Sequence, residues 1–445
     1  MTTATAAAST VATTSPTTLL LALTAALAAA GLLLVLVRVP AAGVALLAGG
    51  QAWQVVARGQ VPTLDLGLIS LYPLDVLSAC AAVATVVALL RRTTRPHLGY
   101  AALGALALLM LASLVTGARA YGLEPAGNDA RGAFAYLLVA AAYTASAPPS
   151  PRLDTQVWRI WTLLASLYAA VAVVWWTRTG IGSSSDQVLV GGELVNARPD
   201  DAASALVVAQ AAVALLCARR TGPGHRLLAA ALLVVVLLLQ HRTVWLAAFV
   251  MGAGWLLLRP GSGVRRTASL VAAGLTGLLG VTGALLLSGS ELTQNLTTSA
   301  TDEGTMQWRI AGWRLLLDRL DGTADWLFGL PFGSGYARFV DGGVVESQPH
   351  NYFLHLLLRA GLLGLVAAAV AIVAALRRTD RRTPTGLALW LTTAGVCVFC
   401  CTYAPTVEQG LLLGLLLRHG AVHAEARTQS APPALVRTPL TPTTP

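Results

Sequence analysis

QPHNYFLH (348–355) runs without a break into LLLRAGLLGLVAAAVAIVAAL (356–376). The second segment stays largely apolar over about the 20 residues that a helix needs to cross a bilayer. The first is polar. Pro349 and Asn351 place His350 at a helix start, where a water-exposed loop re-enters the apolar layer. An imidazole at such a boundary is partly buried yet wet, so it can exchange a proton. The apolar run stops at Arg377-Arg378, a basic pair suited to the headgroup region.

The rest of the chain repeats this pattern. Of 445 residues, 56% are hydrophobic and only 11% charged, and the mean hydropathy is +0.68. A soluble domain of this length has too little interior for that much apolar surface. Apolar runs fall at 18–37, 41–57, 72–90, 98–117, 132–148, 157–177, 201–218, 226–240, 243–258, 267–288, 351–376, 383–401 and 404–418. The expected architecture is an all-α, polytopic membrane helical bundle of about 12–13 spans. Residues 18–418 form the membrane domain, 1–17 a disordered N-terminus, and 419–445 a Pro/Thr-rich disordered tail. The first residues lack a basic n-region, so a cleaved signal peptide is not expected.

The formal charge is +10, and all 30 basic residues are arginine. Arg91-Arg92/Arg95, Arg219-Arg220, Arg265-Arg266 and Arg377-Arg378/Arg381-Arg382 follow spans that put them on one side, which positive-inside topology makes cytoplasmic. This explains the basic excess without nucleic acid, for which no motif appears. The opposite, extracytoplasmic side then receives the His241-Arg242 turn and one large loop, 289–349. The five cysteines lie in or beside apolar runs with no His or carboxylate at ligand spacing, so they read as small apolar helix residues. No metal site and no cofactor is expected.

Chemistry-bearing residues converge on the outer face. Gln240-His241-Arg242-Thr243 is a tight polar break between two apolar runs. Arg242 there suits either an anion-holding cavity or a snorkelling interfacial turn with Trp245. In the large loop, Met306, Ile310, Trp313, Leu317 and Leu320 make a helical stripe over about Glu303 to Leu320. Arg309 projects off that stripe, where a guanidinium can grip a phosphate with two parallel hydrogen bonds, or simply face solvent. Gly333-Ser-Gly335 permits a tight turn. His355, five positions after His350, reads as packing.

These elements together resemble the O-antigen ligase and polymerase superfamily of polytopic glycosyltransferases. The resemblance rests on QHRTVWLA (240–247), Arg309-x-x-x-Trp313, Gly333-Ser-Gly335, and His350-Asn351-x-x-Leu354 followed by Gly361-Leu-Leu-Gly364. It covers about residues 225–415, and the N-terminal half only by hydropathy. The chain departs from the pattern at Arg359, where an acidic residue commonly precedes the last Gly-Leu.

The resemblance implies transfer of a glycan from an undecaprenyl-diphosphate carrier to an extracytoplasmic glycan, lipid or protein acceptor at the cell membrane, inverting and metal-independent. It implies His350 as catalytic base and Arg242 and Arg309 as diphosphate ligands, with Asn351, Gly333, Gly335 and Trp313 in support. Two alternatives stay open. One is a polymerase of lipid-linked repeat units, which differs only in the acceptor. The other is a membrane transporter or flippase, for which Asp75, Arg159 and Glu408 are the charges in or near spans.

Overall fold

The computed structural model describes residues 16–57, 60–65, 67, 69–91, 97–148, 150–181, 187–190, 193–218, 222–259, 304–340 and 342–429. The fold is an all-α polytopic bundle. Its helices are α1 (Pro16–Arg38), α2 (Pro40–Val56), α3 (Pro73–Leu90), α4 (Leu98–Tyr121), α5 (Leu123–Ala130), α6 (Leu137–Ser146), α7 (Pro151–Thr179) and α8 (Ala202–Cys217). They continue with α9 (Pro223–Leu238), α10 (Arg242–Leu258), α11 (Gly304–Leu317), α12 (Thr323–Phe328), α13 (Tyr352–Arg378), α14 (Pro384–Cys400) and α15 (Val407–Gln429). Among the described residues, sheet is confined to three two-stranded hairpins, including Arg338–Val340 with Gly343–Val345.

Every apolar run expected from the sequence that lies among these residues is a helix. The run at 267–288, Arg219-Arg220, Arg265-Arg266 and loop residues 289–303 lie outside them. Among the described residues, four helices are long and apolar enough to cross a membrane: α3, α4, α7 and α13. α15 continues to Gln429, beyond residue 419 where the sequence suggested a disordered tail. It does so because Arg418 and His419 are buried and held by Asp154.

Small residues let the helices approach closely. Gly410 and Gly414 of α15 sit on the backbone of α6, where a Cβ would lie 2.3 Å from the carbonyl oxygens of Leu137 and Ala141 respectively. That is the close-approach geometry of small-xxx-small interfaces. α8 is buried on nearly every face, as expected for a helix apolar all round at the bundle centre.

Contacts between helix termini define two ends. At one, Arg418 of α15 donates to the carbonyls of Pro148 and Ser150, and Gly420 lies against Arg378. There too, His97 Nε2 meets the Leu417 carbonyl and Trp255 Nε1 donates to Leu216 O. At the other end, Arg198 Nη2 donates to Gln240 O (2.7 Å) and Gly333 N to Asp129 Oδ2 (2.9 Å). Because α13 and α15 both finish at the first end, His350 and Arg242 both stand at the second, opposite Arg377 and Arg378.

α13 is broken at Gly361, whose φ of 63° and ψ of −168° lie in a region essentially reserved for glycine. The break exposes the Leu358 carbonyl, which Leu330 N takes at 2.6 Å. Leu327 O presses on Gly361, so that a Cβ would sit 2.1 Å from it. Gly361→Ala is therefore expected to cost at least about 1–3 kcal/mol from backbone strain alone, read as a lowered Tm in detergent. An unchanged Tm would contradict this conformation.

The loop helix α11 forms with Trp313, Leu317 and Leu320 of the expected stripe turned inward, joined by Leu316. Leu316 and Leu320 are buried with Trp313 and Leu317 packed beside them, whereas Ile310 is 38% exposed. The apolar positions exceed what one side can bury, and docking on Leu354 and Leu358 of α13 selects the Leu316 side.

Candidate functional site

His350 stands one residue before α13, whose N-cap is Asn351: its side chain accepts from Leu354 N at 3.1 Å. That bond makes Asn351 the N-cap and fixes the helix start, and so the place of His350. α11 brings Trp308 to within 6.5 Å of the imidazole, ring centroid to ring centroid. Arg309 and Arg338 are close enough for their charges to act on His350. Arg338 is held by Tyr336 O (3.0 Å) and Ser347 O (2.8 Å), with its guanidinium 6.0 Å from the Trp308 ring centroid.

Half-burial first, then the two guanidinium charges, hold the His350 pKa below its ordinary value. Near neutral pH the ring is therefore uncharged and has a lone pair to accept a proton. Arg309 Nε and Arg338 Nε are both buried and lack a hydrogen-bond partner among the described residues. Two guanidinium N–H groups with nothing to donate to, beside a neutral imidazole, make a place suited to an anion.

Behind this site lies a buried polar network that anchors the 331–336 turn. Arg359 pairs with Asp129 (Nη2 to Oδ2, 2.8 Å) and donates from Nε to Tyr336 Oη at 2.8 Å. It also donates to Pro331 O, Ser334 Oγ and Gly335 O. Tyr336 donates to Asp129 Oδ1 at 2.5 Å and touches His355 Nε2 at 2.6 Å. A hydroxyl has one proton, so with that proton on Asp129, His355 donates from Nε2 and its Nδ1, buried and unpartnered, is bare. His355 is thus a hydrogen-bonding member of a polar network, where the sequence suggested plain packing. Burial raises the Asp129 pKa. The nearby His355, the Arg359 charge, Tyr336 and the Gly333 N–H outweigh that and leave it below the ordinary carboxylate value. Burial pushes the Tyr336 phenol up.

This accounts for the remaining expected residues. Gly333 (φ 84°) gives its N–H to Asp129, and Gly335 (φ 71°) gives its carbonyl to Arg319 and Arg359. They build the turn. Trp313 packs on the small core of Leu316, Leu320 and Leu358. Arg242 begins α10 next to Arg198, whose pKa burial lowers. Its neighbours Arg198 and His241 line a separate cleft of about 710 Å³ at the same end. Within that cleft His241 Nε2 meets Asp200 O at 3.1 Å. Burial and the Arg198 charge push the His241 pKa down to about 4.

The sequence reading missed Asp129, Tyr336, Arg338 and Arg198. Arg338 and Tyr336 sit in the large loop next to the motif glycines, which was the available signal. Asp129 and Arg198 meet their partners only through the fold. Among the described residues, no group of three or more His, Cys, Asp or Glu is placed to hold a metal ion. No protein-family model matches this chain, and no curated protein matches it.

Proposed function

We propose that the chain is a membrane glycosyltransferase that moves a glycan from an undecaprenyl-diphosphate carrier to a hydroxyl acceptor on the extracytoplasmic side of the cell membrane. The supporting observation is the neutral imidazole of His350 set beside the unpartnered Nε–H groups of Arg309 and Arg338. His350 takes the proton of the acceptor hydroxyl. The acceptor oxygen attacks the anomeric carbon from the face opposite the diphosphate, and the bond from that carbon to the diphosphate oxygen breaks, inverting the centre. The leaving diphosphate carries away the electron pair, and Arg309 and Arg338 neutralise its growing charge. The proton on His350 then passes to water. Arg242, at the same end, adds to the field that draws an anionic carrier. A second lipid-linked glycan as acceptor would use the same chemistry.

Arg309→Lys tests the phosphate grip. It keeps the charge but loses the planar fork, so transfer in proteoliposomes supplied with a lipid-linked oligosaccharide is expected to fall about 10–100-fold. Full activity would reduce Arg309 to a charge effect. In cells lacking the gene, mass spectrometry is expected to find lipid-linked oligosaccharide accumulated and one surface glycan conjugate missing. An unchanged glycan profile would defeat the proposal.

A further inference from the structure

The cleft beside Arg198 differs chemically from the His350 site. His350 stands beside the charges of Arg309 and Arg338, which suits an anion. The cleft mixes donors and acceptors: Gln51 and Gln54 from the last turn of α2, Arg198 and Asp201 before α8, His241 before α10, and Tyr403 after α14. Its volume of about 710 Å³ lies within the range of small-ligand sites.

Two observations mark it as built for a ligand. His241 is only 5% exposed, yet it lines the cleft with Nδ1 unpartnered among the described residues. A carbonyl cannot donate, so the contact with Asp200 O puts the proton on Nε2 and leaves Nδ1 as a bare acceptor. The residue before it, Gln240, has φ 58°, the one positive φ outside glycine among the described residues. Such strain is held where surrounding structure enforces it, commonly at ligand sites. Arg198 enforces it here through its 2.7 Å bond to Gln240 O.

We infer that this cleft binds a sugar ring through its hydroxyl groups, with His241 Nδ1 and the glutamine amides as its partners. Hydroxyls both donate and accept, matching amides, a carboxylate, a guanidinium and a bare imidazole nitrogen together. Tyr403, with Phe399 5.3 Å behind it, supplies an aromatic face for the apolar side of a pyranose. A phosphate would find Asp201 opposing it. The inference does not rest on the chemistry assigned to His350.

The test is saturation-transfer NMR on the full chain in a detergent without a sugar headgroup. The probes are the methyl pyranosides of glucose, galactose, mannose and N-acetylglucosamine. At least one is expected to bind, and binding is expected to weaken about three- to tenfold in His241→Phe, the loss of one hydrogen bond. Gln54→Ala, at a half-exposed position, is expected to weaken it as well while leaving the Tm unchanged, which guards against misfolding of the buried variant. His350→Ala should bind the same sugar as tightly as the parent, so failure here and failure of the transferase proposal are separable. Absence of binding by all four glycosides would overturn the inference. So would undiminished binding in both cleft variants. Binding of inorganic pyrophosphate in their place, lost in Arg198→Gln, would instead make this an anion site and overturn it too.

Discussion

Replacing His350 with alanine is expected to lower glycan transfer by about 10²–10⁴-fold, the range for removing a positioned general base, while the protein stays folded. His350 is half-buried and makes a ring contact with Trp308, whereas the α13 N-cap bond belongs to Asn351. The variant should therefore reach the membrane with parental Tm while lipid-linked oligosaccharide accumulates. Transfer at the parental rate would remove His350 from the mechanism. The pH profile gives a second check. In the proposed transfer the working form of His350 is the uncharged imidazole, and its folded pKa lies below 6.5. Arginine does not titrate in the accessible range. Hence kcat/KM is expected to rise through one ionisation below pH 6.5 and to stay flat across neutrality. A profile still rising above pH 7 would mean another group is the base.

Asp129→Ala is expected to destabilise the protein by about 3–5 kcal/mol, because it leaves the fully buried Arg359 guanidinium without its counter-charge. The double variant Asp129→Ala/Arg359→Met should lose less than the two single losses combined, since no lone charge then remains buried. Thermal unfolding of the three variants measures this. A loss under about 1 kcal/mol in Asp129→Ala would mean the pair is solvated and contributes as a surface pair does. The pH dependence follows from the sign of the shift. The folded Asp129 pKa is depressed, so its contribution is complete above the unfolded value near 3.9 and disappears as pH falls through the lower folded value. The same variant should slow transfer, since the 331–336 turn and the first turns of α13 set where His350 stands.

Helix positions were legible because apolar runs of bilayer length leave one local solution, and α13 starts where Pro349 and Asn351 place it. The nearness of Arg309 to His350 was legible too, since both lie in one loop bracketed by short elements. Arg242 shows where that reasoning stopped. Sequence order puts it on the correct end but cannot say that α10 packs with α8, α9 and α14, which seats it beside Arg198. The role of Arg359 was hidden for a related reason. Its counter-charge, Asp129, comes from α5, a short helix far away in sequence whose composition carries no signal of pairing. Read alone, Arg359 looked like a departure from a motif; in the fold it pins the Gly333–Gly335 turn. The stripe on α11 was legible at Trp313, Leu317 and Leu320, but not the burial of Leu316, because amphipathic periodicity gives a face without the partner that covers it.

The break at Gly361 has a consequence for the membrane crossing. Below it, the uninterrupted rod from Leu362 to Arg378 is about 25 Å long at ~1.5 Å per residue. A typical hydrocarbon core is about 30 Å thick. That rod alone falls short of the core, so the helical turns of Tyr352–Ala360 above the break have to supply the rest of the crossing, along an axis that the break resets. The kink thus lets the turns that carry Leu354 and Leu358 follow Leu316 and Leu320 of the loop helix instead of the axis of the lower rod.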